Sequence, residues 1–392
     1  MPHTRATAYD EETHRTSFSP PMLDRYHRQM ILPSIGEAGQ QRLLDSHALV
    51  VGCGALGTMI VDTLARAGVG RLSIIDRDTI DLTNLQRQVL FDEDDVKETI
   101  PKAEAARARL ARINSQVRVT AHVDDFNHRN AQRYLDDADV IIDGLDNFEG
   151  RFLLNDLAVK FGVPYVYGGA VATSGMSMTI LPHPQHRAGT ARSNVSWTPE
   201  QSTPCLRCIF ADIPPPGATQ TCDTAGVLGP AAATIAAHQA TQTLKLLSGN
   251  LDAVDRSLYS IDVWENRTRR FDISGARAAG NCACCVQGKF DSLTGQVGTS
   301  TTSLCGRNAI QITPADSQAR DGGLDLAQMA ARLAAHGTFT HNGYLLHGRF
   351  ARERSNRDEP VELTLFPDGR AIIKGTTEPE AARSIYAKYV GA

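Results

Sequence analysis

No stretch of this 392-residue chain approaches the roughly 18–20 consecutive apolar residues that a bilayer-spanning helix needs. The opening residues, MPHTRATAYDEETHRTSFSPP, lack the apolar core of a secretory signal. Positive charge is not in excess either. With 40 Lys and Arg against 44 Asp and Glu the net charge is −4, so the chain as a whole offers no electrostatic case for nucleic acid or an anionic membrane as partner. Eight cysteines are too few for a disulfide scaffold at this length, and their grouping into CxxC pairs suits metal binding or catalysis in a reducing compartment. Internal repeats are not evident. The expectation is a cytoplasmic protein of two or three domains.

What is present is organised around Leu49–Asp76. The apolar run Ala48–Val51 meets glycines at 52, 54 and 57, an apolar stripe through Ile60, Val61 and Leu64 follows, and a second apolar run, Leu72–Ile75, ends at Asp76. This reads as strand, glycine turn, helix, strand. Gly52 permits the tight turn, Gly54 lets a phosphate approach the backbone, and Gly57 lets helix and strand pack closely. Amides at the helix start then face an anion, and Asp76 stands where an acid binds ribose hydroxyls. A glycine turn that serves packing alone is the plainer alternative.

Residues 1–20, polar and ending near Ser-Pro-Pro, read as a disordered tail. Beyond Asp76, strands expected at Val117–Ala121, Val140–Ile142, Val163–Val166 and Ser177–Leu181 alternate with helices at 103–113, 128–135 and 150–161. Such alternation implies an α/β, Rossmann-like, mainly parallel sheet with helices on both faces. Gly168-Gly169 reads as a turn, and an alanine-rich helix near 231–248 as fully buried. A hairpin at 258–271 closes this unit, which spans 21–287. Residues 288–303 read as a Gly/Ser/Thr-rich linker, and 304–392 as a small α+β domain with a hairpin turn at Pro367-Asp368-Gly369.

Two sets of residues carry chemistry. Cys205-x-x-Cys208 and Cys282-x-x-Cys285 supply the four thiolates of a tetrahedral Zn²⁺ site, with Cys284 a substitute ligand. Disulfides or free buried thiols are the alternatives. Asp76, Asn84, Arg87, Gln88, Lys102 and Asp146 would line one sheet edge with donors for phosphates and carboxylates for ribose or Mg²⁺, a set better suited to a triphosphate than to a nicotinamide. Cys222 stands apart in a Pro- and Gly-flanked loop ahead of a helix, where a thiol ionises more readily. Cys53 and Cys305 read as packing residues. Arg25 and Arg28, three apart, could share a helix face as a solvated pair.

At these residues the sequence resembles the ThiF/MoeB family of activating enzymes for ubiquitin-like proteins and sulfur carriers. The resemblance spans residues 22–290 and rests on RYHRQMIL, VVGCGALGT, IIDRDTIDLTNLQRQ, GLDNFEGRFLLN, the PCLRC and CACC pairs, and CDTAGVLGP. It implies ATP-dependent adenylation of the C-terminal glycine of a MoaD/ThiS-like carrier ending in Gly-Gly. Asp76 would hold the ribose, Asn84, Arg87 and Lys102 the phosphates, and Asp146 the Mg²⁺. Arg28 matches an arginine that reaches into the partner subunit's ATP site, implying a homodimer, and Cys222 matches a loop cysteine that in some members carries the substrate as a thioester or acyl-persulfide. Two departures stand out. Thr99 occupies a position where a glycine is usual, on a longer loop ahead of Lys102, and nothing in 304–392 resembles the rhodanese domain of some relatives, so sulfur would come from a separate sulfurtransferase or cysteine desulfurase. The tail looks similar to a small appendage on some bacterial members. An inactive nucleotide-binding scaffold and a dinucleotide-dependent oxidoreductase are the competing functions.

Overall fold

The computed structural model describes residues 23–183, 193–211, 225–295, 301–304, 308–313, 324–355 and 358–390. Strands β1 (His47–Val51), β2 (Arg71–Ile75), β3 (Arg118–His122), β4 (Val140–Asp143) and β5 (Tyr165–Val171) run parallel in the order β3-β2-β1-β4-β5. Strands β6 (Ser174–Ile180), β7 (Leu258–Asp262) and β8 (Arg267–Phe271) extend the sheet antiparallel. Every residue of β1 is buried, as a strand covered on both faces requires. Its alternate residues serve two cores. Ala48 and Val50 pack with helices α1 (Gly36–Asp45), α2 (Ala55–Ala67), α3 (Lys102–Ile113) and α5 (Gly229–Ser248), whereas Leu49 and Val51 pack with α4 (Phe148–Phe161). Leu64 and Ile60 of α2 are wholly buried, each contributing ~2 kcal/mol of transfer free energy. The mainly parallel α/β sheet with helices on both faces is therefore present.

Three local expectations change. Gly168-Gly169 lies inside β5 rather than in a turn, because a Cβ at Gly168 would come 2.2 Å from the amide carbon of Gln239: the glycine makes room for a side chain from α5. That amide donates to the carbonyls of Asp143 (2.8 Å) and Val166 (3.1 Å). Helix α5 is not fully buried, since Pro230, Ala237 and Thr241 line an exposed stripe. Finally, the second sheet begins at Thr301, inside the expected linker.

That second sheet is antiparallel throughout. Strands β9 (Thr301–Leu304), β10 (Ala309–Ile312), β11 (Gly337–His341), β12 (Leu346–Arg354), β13 (Pro360–Leu365) and β14 (Ala371–Lys374) lie in the order β11-β12-β13-β14-β10-β9. Helices α6 (Leu326–Leu333) and α7 (Pro379–Tyr389) bring Met329, Leu333 and Ala382 onto its apolar face, which confirms a small α+β domain. The 367–369 turn forms as the sequence suggests, with Gly369 at φ +87° and the Phe366 amide bonded to the Arg370 carbonyl at 2.9 Å. Arg370, 5% exposed, reaches back to the first unit, donating to the Val123 carbonyl at 2.7 Å and lying 3.5 Å from Asp124. No helix among the described residues is long and apolar enough to cross a membrane.

Candidate active site

The site forms where β1, β2 and β4 end, because β1 sits between strands reached in opposite directions and a crevice opens at that reversal. A Cβ at Gly57 would meet the Gly52 carbonyl oxygen at 2.0 Å, and one at Gly52 would meet the Gly144 backbone at 2.5 Å. Only glycines allow this three-way approach of loop, helix and neighbouring strand. Gly54 caps α2 and accepts the Thr58 amide at 3.0 Å, so the amides of the first turn have no carbonyl ahead of them within the helix. The Asp76 carboxylate closes the loop from the other side, accepting the Cys53 amide at 2.6 Å and the Asp78 amide at 2.7 Å. Burial lifts Asp76 above its ordinary value, the Lys102 ammonium opposes this and the Asp78 carboxylate adds to it. Cys53 is wholly buried, which agrees with a packing role.

Lys102 lies in this field although 24 residues separate it from Asp78. Its Nζ stands 3.0 Å from Asp78 Oδ2 and its amide donates to the Asp78 carbonyl at 2.9 Å, a bridge between Thr79 and Pro101 fixing the approach. The side chain is 3% exposed. Asp78 is the site residue that sequence reasoning passed over. Its signal is slight: an acid two positions after Asp76 in an extended segment shares that residue's side. Thr99, standing in the place of a glycine, adopts a glycine's conformation at φ +54°. A β-branched residue there costs about 1–2 kcal/mol, and the loop nevertheless delivers Lys102 to the pocket.

The segment after β2 behaves less uniformly. Asn84 is buried, but its Oδ1 accepts the Asp81 amide at 3.0 Å in a reciprocal cap. Gln88 is buried too, with Nε2 3.9 Å from where a Cβ of Gly54 would stand, and its Oε1 has no hydrogen-bond partner among the described residues. A buried orphan acceptor beside the glycine loop fits a polar ligand there. Arg87 is half-buried, donates to the Thr83 carbonyl at 2.8 Å, and packs near Gly229 at the start of α5. Asp146 is exposed on the turn after β4, where Asn147 donates to it at 3.2 Å and caps α4 through Gly150 at 2.8 Å. Beneath this turn lies a second pair that the sequence did not flag. Asp143 is fully buried, 3.5 Å from Arg151 Nε and bonded to the Tyr165 hydroxyl at 2.8 Å, while Arg151 donates to the Leu145 carbonyl at 2.8 Å. Burial raises Asp143 above the usual carboxylate range, with Arg151 pulling the other way.

The two CxxC pairs meet, although 77 residues separate Cys205 from Cys282. Their sulfurs stand 3.9 Å (Cys205 to Cys208), 3.6 Å (Cys205 to Cys282) and 3.4 Å (Cys208 to Cys285) apart, all four within 4.8 Å of one another. A tetrahedron of sulfurs at 2.3 Å from a central Zn²⁺ has edges of about 3.8 Å, so the donor set fits that ion. Cys284 is not one of the four. It points to α4, taking a hydrogen bond from Asn155 at 3.4 Å beside Asp156, whose carboxyl is pushed up to about 6 by burial. Cys222 and Cys305 lie outside the described residues. Arg28 is exposed on the short helix His27–Met30. Its neighbours anchor that helix far from the pocket, Tyr26 against Gly68 beyond the end of α2 and Arg25 on the Ile113 carbonyl at 2.7 Å. The structure thus does not bring Arg28 to this chain's own crevice.

Residues 26–284 match the ThiF family. The chain is 39% identical over 372 residues to a Bacillus subtilis protein named sulfur carrier protein ThiS adenylyltransferase, covering 94% of this chain and 100% of that one. It is 40% identical over 227 residues to a Thermus thermophilus protein named sulfur carrier protein adenylyltransferase, covering 58% and 78%. Among solved structures, Escherichia coli MccB superposes with a TM-score of 0.51 at 22% identity over 64% of this chain and 70% of that one, a likeness of fold. The first of these alignments is long enough to take in the C-terminal domain as well. With the glycine loop, the Asp76 clasp and the cysteines Cys205, Cys208 and Cys282 all within residues 26–284, the chain belongs to the ThiF family.

Proposed function

We propose that this protein uses ATP to adenylate the C-terminal glycine of a ubiquitin-like sulfur carrier of the MoaD/ThiS kind. The observation that carries the reading is Lys102, a nearly buried cation held by Asp78 beside the Asp76 clasp and the glycine loop. Its support is the chain-long likeness to a protein named ThiS adenylyltransferase. The carrier's carboxylate is ionised at neutral pH and needs no general base. It attacks the α-phosphorus of ATP, an O–P bond forms, the α–β bridging bond breaks, and pyrophosphate leaves with that electron pair. Catalysis then reduces to alignment and charge neutralisation. Asp76 takes the ribose hydroxyls, and Gly52, Gly54 and Gly57 leave room for the phosphates at the start of α2. Asn84, Arg87 and Gln88 contribute donors, and Lys102 exchanges its Asp78 partner for phosphate oxygen. Exposed Asp146 would hold Mg²⁺, which supplies countercharge to the phosphates when bound.

Cys205, Cys208, Cys282 and Cys285 would hold a structural Zn²⁺ with all four positions filled by protein. Arg28 serves the site of the second protomer of a homodimer, the Cys222 thiolate attacks the acyl-adenylate carbonyl to form a thioester as the acyl–phosphate bond breaks and AMP leaves, and a separate sulfurtransferase or cysteine desulfurase provides the sulfur. Incubation with ATP, Mg²⁺ and labelled pyrophosphate is the test. Exchange of label into ATP that depends on a carrier from the same cell is expected, and its absence with every such carrier refutes the proposal.

A further inference from the structure

The C-terminal domain touches the catalytic unit beside Lys102. The turn Asn342–Leu345, between β11 and β12, lies against the loop that precedes this lysine. Asn342 donates from Nδ2 to two successive carbonyls, those of Glu98 and Thr99, at 3.1 Å each. Its own Oδ1 accepts the amides of Tyr344 and Leu345 at 3.2 Å each. The orientation of this amide is thereby fixed, because a flip would set oxygen against two carbonyls and nitrogen against two amides. The next residue but one faces the other side: Tyr344 lies beside Arg107, five positions past Lys102 on α3. One four-residue turn therefore holds the loop before the lysine and lies against the helix after it. Arg370 anchors the same domain a second time, on the Val123 carbonyl just past β3, whose last residue, His122, accepts the Asp76 amide at 3.1 Å.

The loop needs such support. It carries Thr99 at φ +54°, a conformation that a β-branched residue disfavours. Its far end is pinned on the inside by the Thr79–Pro101 bridge and the Lys102 amide. On the outside, Asn342 covers the two carbonyls that the turn exposes.

We propose that the C-terminal domain is a positioning clamp for Lys102, and that Asn342 is the positioning residue through which it acts. This rests on the reading of Lys102 as a phosphate ligand. Asn342→Asp in the full-length chain keeps the acceptor for Tyr344 and Leu345 but removes both donors. Two hydrogen bonds correspond to about a 10-fold change in an equilibrium. Exchange of the Thr99, Ile100 and Lys102 amide hydrogens is expected to quicken about 10-fold, and Mg²⁺-ATP affinity measured by calorimetry to weaken by a similar factor. In a Lys102→Ala background the same change should weaken affinity no further, because its effect passes through the lysine. Unchanged hydrogen exchange, or equal weakening in both backgrounds, overturns the clamp. A wild-type chain that binds no ATP overturns the proposed function instead, while the hydrogen-exchange comparison still decides the clamp.

Discussion

Replacing Arg151 by Met keeps the length of the side chain and removes the cation beside Asp143. The carboxylate is wholly buried, with Arg151 Nε at 3.5 Å, and it retains the Tyr165 hydroxyl and the Leu145 amide after the change. Stripping one partner from a buried ion pair costs about 3–5 kcal/mol, and the two surviving hydrogen bonds place this case near 3. For a unit of this size that is a fall in Tm of about 6–12 °C. The deficit should also depend on pH in a definite direction. Burial raises Asp143 in the folded chain above its unfolded value of about 3.9, so the folded form keeps its proton to higher pH. Its carboxyl therefore costs stability as pH rises through that window, and the full cost is present above the folded value. Loss of Arg151 lifts the folded value further, so the gap between variant and wild type should be wider at pH 8 than at pH 5 by chemical denaturation. Adding Asp143→Asn should restore about half of the loss, since the charge left behind is its main source. Equal deficits at both pH values, or no recovery in the double variant, would refute the reasoning.

Other outcomes follow from the site. Metal analysis should find about one Zn²⁺ per chain, lost in Cys282→Ser and retained in Cys284→Ser; the opposite pattern would reassign the fourth ligand. Gly57→Ala drives a methyl to 2.0 Å from the Gly52 carbonyl and should weaken ATP binding at least about 10-fold, because the loop must shift by more than an ångström; unchanged affinity in calorimetry would contradict the site. Arg28→Ala should leave a folded dimer by light scattering while pyrophosphate exchange falls about 100-fold, and wild-type exchange would remove the role across the dimer. Cys222→Ser should leave exchange intact but abolish a carrier adduct that reducing agent releases, and an adduct that persists would clear Cys222 of the covalent step.

The glycine loop and the parallel sheet were legible because their signals are local: apolar runs of strand length, glycines at fixed offsets, and an acid at the strand's end. The meeting of the two CxxC pairs was legible through spacing, and geometry then set Cys284 apart by turning it toward Asn155. The parts that sequence hid depend on long-range approach. Gly168 looked like a turn because a glycine that yields space to Gln239 is indistinguishable in the chain from one that bends it. Asp78, Asp143 and Arg151 read as ordinary charges, since only the folded sheet brings Lys102 to the first and buries the other two together. Strand β11, Gly-Thr-Phe-Thr-His, is largely exposed and has too few apolar residues to announce itself.

The eight-stranded sheet ends at β8, Arg-Thr-Arg-Arg-Phe, where all five residues are exposed. A bare strand margin is an invitation to another copy of the same protein, whose own margin would pair with it and join the two sheets. Here any second copy would bring three more guanidinium groups against Arg267, Arg269 and Arg270, and cations stacked at strand spacing repel. The first sheet thus carries on its edge strand a guard against pairing with its own kind.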